Sequence, residues 1–279
     1  MSLWKKWAGV AALASVASAA VLMGSIAGAG IVGSKHDLSA SGPGGKFTFT
    51  NGNTEICVFC HTPHGSDTAS AVPLWNRVPG AAAGGFTVYT STTLSGTVTM
   101  ANSPSLVCLS CHDGTVAMNN MINAPGSDGY NSAGALAGGS WTAGGNVLGT
   151  GLMSTGITNI GTDLRNDHQV AVQYGGGFTV APTASANIGT ATFRDPGFNP
   201  VSGAAGTSGW WVDTIGVGTG GVRDKTDLWL YTRADASLGG ANVPYVECAS
   251  CHTPHDNTAG TFLRTTNAKS NLCLSCHNK

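Results

Sequence analysis

The chain is poor in charge. Its 279 residues include 13 Lys and Arg and 14 Asp and Glu, 10% of the total, with a formal net charge of −1. No basic cluster stands out, which excludes the electrostatic footprint of a nucleic-acid binder. There is no Gly-rich phosphate loop, zincin motif or Ser-His-Asp arrangement, so nucleotide-binding and common hydrolytic chemistries have no anchor. Gly supplies 41 residues, and Ser, Thr and Ala are frequent, a composition that predicts loops and short strands in place of long helices. Much of the 42% hydrophobic content is Ala, so side chains alone predict a thin core.

Charge is wholly absent between Lys6 and Lys35, and the chain opens MSLWKKWAGVAALASVASAAVLMGSIAGAG. Two lysines, an apolar run and then small residues are the grammar of a secretory signal peptide. Ala27-Gly28-Ala29 is the predicted cleavage site and Ala17-Ser18-Ala19 an earlier alternative; an uncleaved membrane anchor is the competing reading. No cysteine lies near the cleavage site, which argues against a bacterial lipid anchor. Residues 1–29 are therefore read as a signal peptide. The mature chain is expected to be exported to the cell surface or beyond, with the periplasm as alternative and no membrane association after cleavage.

All eight cysteines fall into four pairs of one form: CVFCH at 57–61, CLSCH at 108–112, CASCH at 248–252 and CLSCH at 273–277. Eight cysteines in an exported chain could make four disulfides, and two Cys-x-x-Cys pairs could hold zinc. Neither explains why His follows every pair. With 8 His in 279 residues, four such placements have a chance probability on the order of 10⁻⁶, and Cys-x-x-Cys-His is the attachment signature of c-type haem. Two thiols three positions apart can add to the two vinyl groups of one porphyrin, and the adjacent imidazole then takes an axial position on iron. Four covalently attached haem c groups are expected, on Cys57 and Cys60, Cys108 and Cys111, Cys248 and Cys251, and Cys273 and Cys276.

His61, His112, His252 and His277 are the expected proximal ligands. Four histidines remain, His36, His64, His168 and His255, and four irons need a sixth ligand. The equal counts point to bis-histidine coordination throughout. Met would compete and raise the potential, but Met100, Met118, Met121 and Met153 follow no recurring pattern and are read as packing residues. His64 and His255 each end a CHTPH run. The three-residue link spans at most about 10–11 Å, and Pro63 stiffens it, so neither can round the rim of its own porphyrin. Each is expected to ligate a different haem, clamping two haems together.

The order His, CxxCHTPH, CLSCH occurs twice, and PLWNR is echoed by TFLRT, which reads as an internal duplication. The simplest pairing gives His64 to the haem of His112 and His255 to that of His277, with His36 and His168 serving the haems of His61 and His252. Residues 30–112 and 248–279 form two-haem segments. Between them, 113–247 is a cysteine-free insert. Short β-like runs are FTVYT just before the second motif, and VAVQYGGGFTV, GWWVDTIGV and DLWLYTR within the insert. The insert is expected to supply a few strands or hairpins and one haem ligand, His168. Trp210, Trp211 and Trp229 are read as packing residues. The fold class is that of a multihaem cytochrome: mostly coil with few short helices and short β-strands, organised around four covalent haems.

The residues GSKHDLS, CVFCHTPH with PLWNR, CLSCHDGTVA, NDHQV and the closing CASCHTPH and CLSCHNK carry a resemblance. In this order they resemble the extracellular tetrahaem cytochromes that polymerise into conductive filaments, the OmcE type, and more broadly the doubled-CxxCH multihaem cytochromes. The resemblance implies a head-to-tail homopolymer around a continuous haem chain, passing electrons to redox proteins or extracellular acceptors. It also implies that one sixth ligand can come from a neighbouring subunit, with His36, near the mature N-terminus, as the expected donor. The alternative is a soluble periplasmic tetrahaem carrier. A multihaem reductase is a third reading, disfavoured because four spare histidines leave no open iron, so no enzyme is expected. Four attachment motifs predict four haems per chain. The intact mass of the secreted protein checks this, and an excess short of four haems refutes it.

Overall fold

Two cysteines three positions apart reach one face when the backbone between them turns helically. Such turns recur in the computed structural model, which describes residues 30–39, 42, 47–49, 55–70, 72–77, 85–118, 120–123, 139–141, 148, 150–153, 156–182, 193–203, 209–214 and 223–278. The expected signal peptide, 1–29, lies outside them. The first attachment motif is a 3-10 turn over Cys57–Phe59. The others lie on helices α1 (Ser105–His112), α2 (Cys248–Cys251) and α3 (Asn271–Cys276). Both α2 and α3 stop at their histidine, whose backbone is extended: φ −107° and ψ 147° at His252, φ −103° and ψ 134° at His277. No helix among the described residues is long and apolar enough to cross a membrane.

The strands are short and antiparallel. β1 (Phe47–Phe49) pairs with β2 (Gly139–Trp141). A five-stranded sheet is built by β3 (Val172–Gln173), β4 (Ser202–Gly203), β5 (Trp210–Val212), β6 (Leu228–Asp235) and β7 (Ala241–Val246), in the order β3-β7-β6-β5-β4. Outside these elements the described chain is mostly turns and coil, as the glycine content predicted. The runs GWWVDTIGV and DLWLYTR do form strands. FTVYT does not: its sole pairing is an isolated bridge between Thr87 and Asp163. β7, in ANVPYV, escaped the sequence reading because it contains Pro244. That residue faces Thr232 of β6, while β3 pairs with Tyr245 and Val246 alone. Pro244 therefore has a strand neighbour on one side and is tolerated as at a sheet edge.

The insert makes more core than its composition suggested. Leu228 and Leu230 of β6 are fully buried and alternate with half-buried Trp229 and Tyr231, the two-residue period of a pleated strand. With Trp210, Tyr174, Phe178, Val243 and Tyr245 they form one apolar cluster. Trp210 is thus a packing residue, as expected. Gly209 (φ +148°) is required beside it, since a Cβ there would lie 2.3 Å from the Trp229 ring. Phe198, Leu272 and Cys276 pack against the same cluster, and the Tyr174 hydroxyl donates to the carbonyls of Asn199 (2.8 Å) and Cys276 (3.2 Å). The sheet core is thereby joined to the fourth motif. Met118, buried on Phe59 with Met121 and Met153 alongside, fills space as methionine does.

β7 leads straight into Glu247 and the third motif. The Glu247 carboxylate is fully buried and accepts from Ser103 and Ser105, which flank the start of α1, and from Arg233 of β6 (2.9 Å). The Ser105 hydroxyl in turn accepts from the Cys248 amide (2.9 Å). This network bolts the second motif to the third. Removing one partner of a buried ion pair costs about 3–5 kcal/mol, whereas replacing both with apolar residues can be neutral. Arg233→Ala is therefore expected to destabilise the protein by about 3–5 kcal/mol in denaturant unfolding, and Arg233→Met with Glu247→Leu to restore much of it.

Candidate functional site

None of the eight cysteines is in a disulfide, and among the described residues no three His, Cys, Asp or Glu side chains converge as a cation site. Burial and neighbouring motifs shift several of the thiols. Burial, then neighbouring Cys111, pushes the Cys60 thiol up to about 12. Cys108 and Cys248 hydrogen-bond to each other, which raises the first and lowers the second. Burial and then Cys251 push Cys276 up to about 12, while burial and then Cys248 raise Cys251 to about 11. The first and second motifs meet on the cluster of Phe59 and Met118, and the second and third are joined by the Cys248 amide on Ser105 (2.9 Å). Thiols raised by burial, as at Cys60, Cys111, Cys251 and Cys276, are unlike exposed, electropositive redox cysteines.

The histidines of the motifs are oriented by main chain. Nδ1–H of His61 donates to the Pro73 carbonyl (3.1 Å), that of His112 to Thr158 (2.8 Å) and that of His252 to Thr261 (3.1 Å). A proton fixed on Nδ1 leaves the Nε2 lone pair for a metal, the usual outer-shell arrangement of a ligating imidazole. Each carbonyl is delivered by a returning segment. His61 bridges Trp75 and His252 bridges Leu263. The Asn76 amide donates to Cys60 O (2.9 Å) and the Arg264 amide to Cys251 O (2.8 Å). Leu74 (φ +58°) and Phe262 (φ +56°) occupy the same left-handed position, rare strain for such residues. PLWNR and TFLRT are therefore structural equivalents, and the duplication holds at this level.

The arginines fall one place apart in that alignment and act differently. Arg77 is buried and donates to the carbonyls of Ser110 (3.0 Å), Ala117 (2.9 Å) and Met118 (2.5 Å), fastening the first module to α1. Arg264 Nε donates to Ala249 O within its own module (2.9 Å). The insert supplies the returning segments for the other two motifs. Ile160 N donates to His112 O (2.8 Å) and Asn199 N to Cys276 O (2.8 Å), and Phe198 bridges His277. Sequence reasoning missed these positions because a backbone carbonyl has no residue-type signature.

The spare histidines divide. His255 faces His61, with ring centroids 6.1 Å apart and planes inclined by 20°. His36 faces His112 at 6.2 Å and 74°, with its other side stacked on Phe262 at 4.2 Å. With metal–imidazole bonds of about 2 Å on each side, two imidazoles on one iron have centroids roughly 6 Å apart, so both gaps fit a haem iron. His36 Nδ1 is buried without a hydrogen-bond partner. Burial first, and then His112, His252 and His255, hold its pKa down to about 4. A cleft of ≈ 430 Å³ opens beside the first motif, lined by Cys57, His61, Pro63 and Asn123 among others. These residues fit covalent haem.

The rings that face one another are not those paired from the repeat. His255 faces His61, not His277, and His36 faces His112 of its own chain, not His61. The cause lies in the N-terminal segment 30–39, which packs against the CHTPH turn of the third motif: the Gly30 amide donates to His255 O (2.9 Å). His255 thus faces a motif other than its own. His64 is exposed, its carbonyl accepting from Thr62 (3.0 Å) and Asn123 (2.7 Å). His168 is also exposed, with Nδ1 bonded to Gln169 O (3.2 Å). Neither is brought to a second imidazole among the described contacts.

Residues 242–279 match the family described as the doubled CXXCH motif, found in multihaem c-type cytochromes. The match covers the third and fourth motifs and indicates covalently bound haem c there. No curated protein matches the chain.

The His36 shift sets a pH dependence. An ordinary imidazole protonates near 6.5 and folded His36 near 4, so between these values the unfolded chain holds a proton that the folded chain does not. Stability from the neutral ring is full above about 6.5 and is lost as pH falls toward 4. The unfolding free energy is expected to drop across this window more steeply in the wild type than in His36→Gln. Parallel curves would contradict the assignment.

Proposed function

We propose that the chain is an electron-transfer protein in which four c-type haems, each ligated by two histidines, form a row in the order of their motifs. One observation carries this reading: successive motifs are packed together, with Cys60 and Cys111 on one apolar cluster and the Cys248 amide donating to Ser105 of the helix that carries Cys108 (2.9 Å). Haem, when bound, supplies the one-electron couple. The chain does the rest. The Cys pairs fix each group at two points, and the carbonyls of Pro73, Thr158 and Thr261 hold proximal imidazoles in the neutral tautomer. Histidines on both sides of iron favour low potentials relative to a His/Met set. Rigid links between motifs, the Arg77 fork and the Glu247 network, keep the spacing constant as charge moves. No enzyme activity is proposed.

The resemblance to filament cytochromes and the signal-like start support an exported protein that assembles head to tail into a conductive polymer. A monomeric periplasmic carrier is the second reading. Electron microscopy of secreted protein, with a redox titration of the same sample, tests both. Regular filaments that take up four electrons per subunit are expected. Monodisperse particles with the same titration establish the carrier, and protein that shows no haem-based titration sinks the electron-transfer reading.

A further inference from the structure

We infer that His61 with His255, and His36 with His112, are the axial ligand sets of two haems whose irons are electronically different, because one pair has near-parallel ring planes and the other near-perpendicular ones. The inference rests on the multihaem reading above and deepens it by assigning each sixth ligand and its orientation. The angles are 20° for the first pair and 74° for the second.

Each angle is set by separate contacts, so the difference is built into the fold. The His61 ring is held by its bond to Pro73 O (3.1 Å) and by the edge of Trp75, at 6.1 Å and 85°. Across from it, the His255 loop is gripped through its carbonyl by the Gly30 amide. The approach is so close that a Cβ on Gly30 would lie 2.9 Å from that oxygen. The His112 ring is fixed by Thr158 O (2.8 Å), and the His36 ring lies flat on Phe262, inclined by 19°. The segment 30–39 therefore acts at both places: Gly30 anchors the loop of one sixth ligand, and His36 is the other.

The electronic consequence follows from orbital symmetry. An imidazole π orbital mixes with the iron d orbital lying perpendicular to the ring plane. Parallel rings act on the same one of two otherwise equivalent d orbitals and split them. Perpendicular rings act on one each, and the two stay nearly degenerate. In the oxidised low-spin state the first arrangement gives a rhombic electron paramagnetic resonance signal with three resolved g values. The second gives a strongly anisotropic signal dominated by one large g value.

The test is the frozen-solution spectrum of the oxidised holoprotein, with haem content read from intact mass. Wild type is expected to show both signal types. His255→Ala should lower the rhombic component by the intensity of one haem, and His36→Ala the large-g component by the same amount. Phe262→Leu, which keeps both ligands but removes the flat wall under His36, should shift the large-g component with haem content unchanged. A fully loaded wild type with one signal type overturns the assignment whether or not the variants fold, as does a variant that depletes the wrong component. Both results leave the cytochrome reading standing. Protein with no haem mass would instead sink that reading.

Discussion

Each attachment motif depends on the short backbone pairing that begins where its helical turn ends. At His61 and His252 the chain leaves the turn, goes extended and meets a returning segment. The main-chain carbonyl of that segment then takes the Nδ1 proton. One bond fixes tautomer, ring direction and the path of the following residues. His112 reaches the same end through Thr158 although its helix runs on to the histidine. A neutral imidazole whose second nitrogen is committed can present the first to a metal without paying a reorientation cost, and the remaining geometry follows from where those rings point.

The returning segments also explain the insert. A chain with so much glycine needs something rigid to bring Asn199 to the fourth motif. The five-stranded sheet provides it, with its aromatic core running onto Leu272 and Cys276. Buried polar groups do the joining between modules. Arg77 spans from the first module to the carbonyls at the end of α1, and Glu247 ties the start of α1 to that of α2. Such groups are costly to bury unless fully bonded, and each here has several partners. They fix relative position at the cost of desolvation, which suits a molecule whose task depends on constant separations.

Much of this was legible in the sequence, and the limits have physical causes. Four CxxCH motifs and the CHTPH duplication were visible because covalent chemistry demands particular side chains at fixed spacing. The strands at 210–212 and 228–235 showed through their aromatic and β-branched content. β7 was hidden by Pro244, which is tolerated because its neighbour β3 is so short. The histidine pairing was not legible at all. Counting matched four spare rings to four irons, and adjacency in the repeat suggested His64 with His112. The fold instead crosses the ends of the chain: the N-terminal segment lies on the third motif, and a C-terminal histidine faces the first. Local order along a repeat says little about which ring crosses a gap that a loop of any length could bridge.

The crossing explains why the two ends of the chain need one another. His36 sits on Phe262, and Gly30 on His255, so the imidazoles that face His61 and His112 are held by contacts between the N-terminal and C-terminal segments. This interlock sets which imidazoles face one another. A density map of the haem-loaded protein tests it most directly. The account predicts irons in the order of His61, His112, His252 and His277, with His255 opposite the first and His36 opposite the second. A map that places His64 opposite His112, or the first and second motifs at opposite ends of the row, would contradict it.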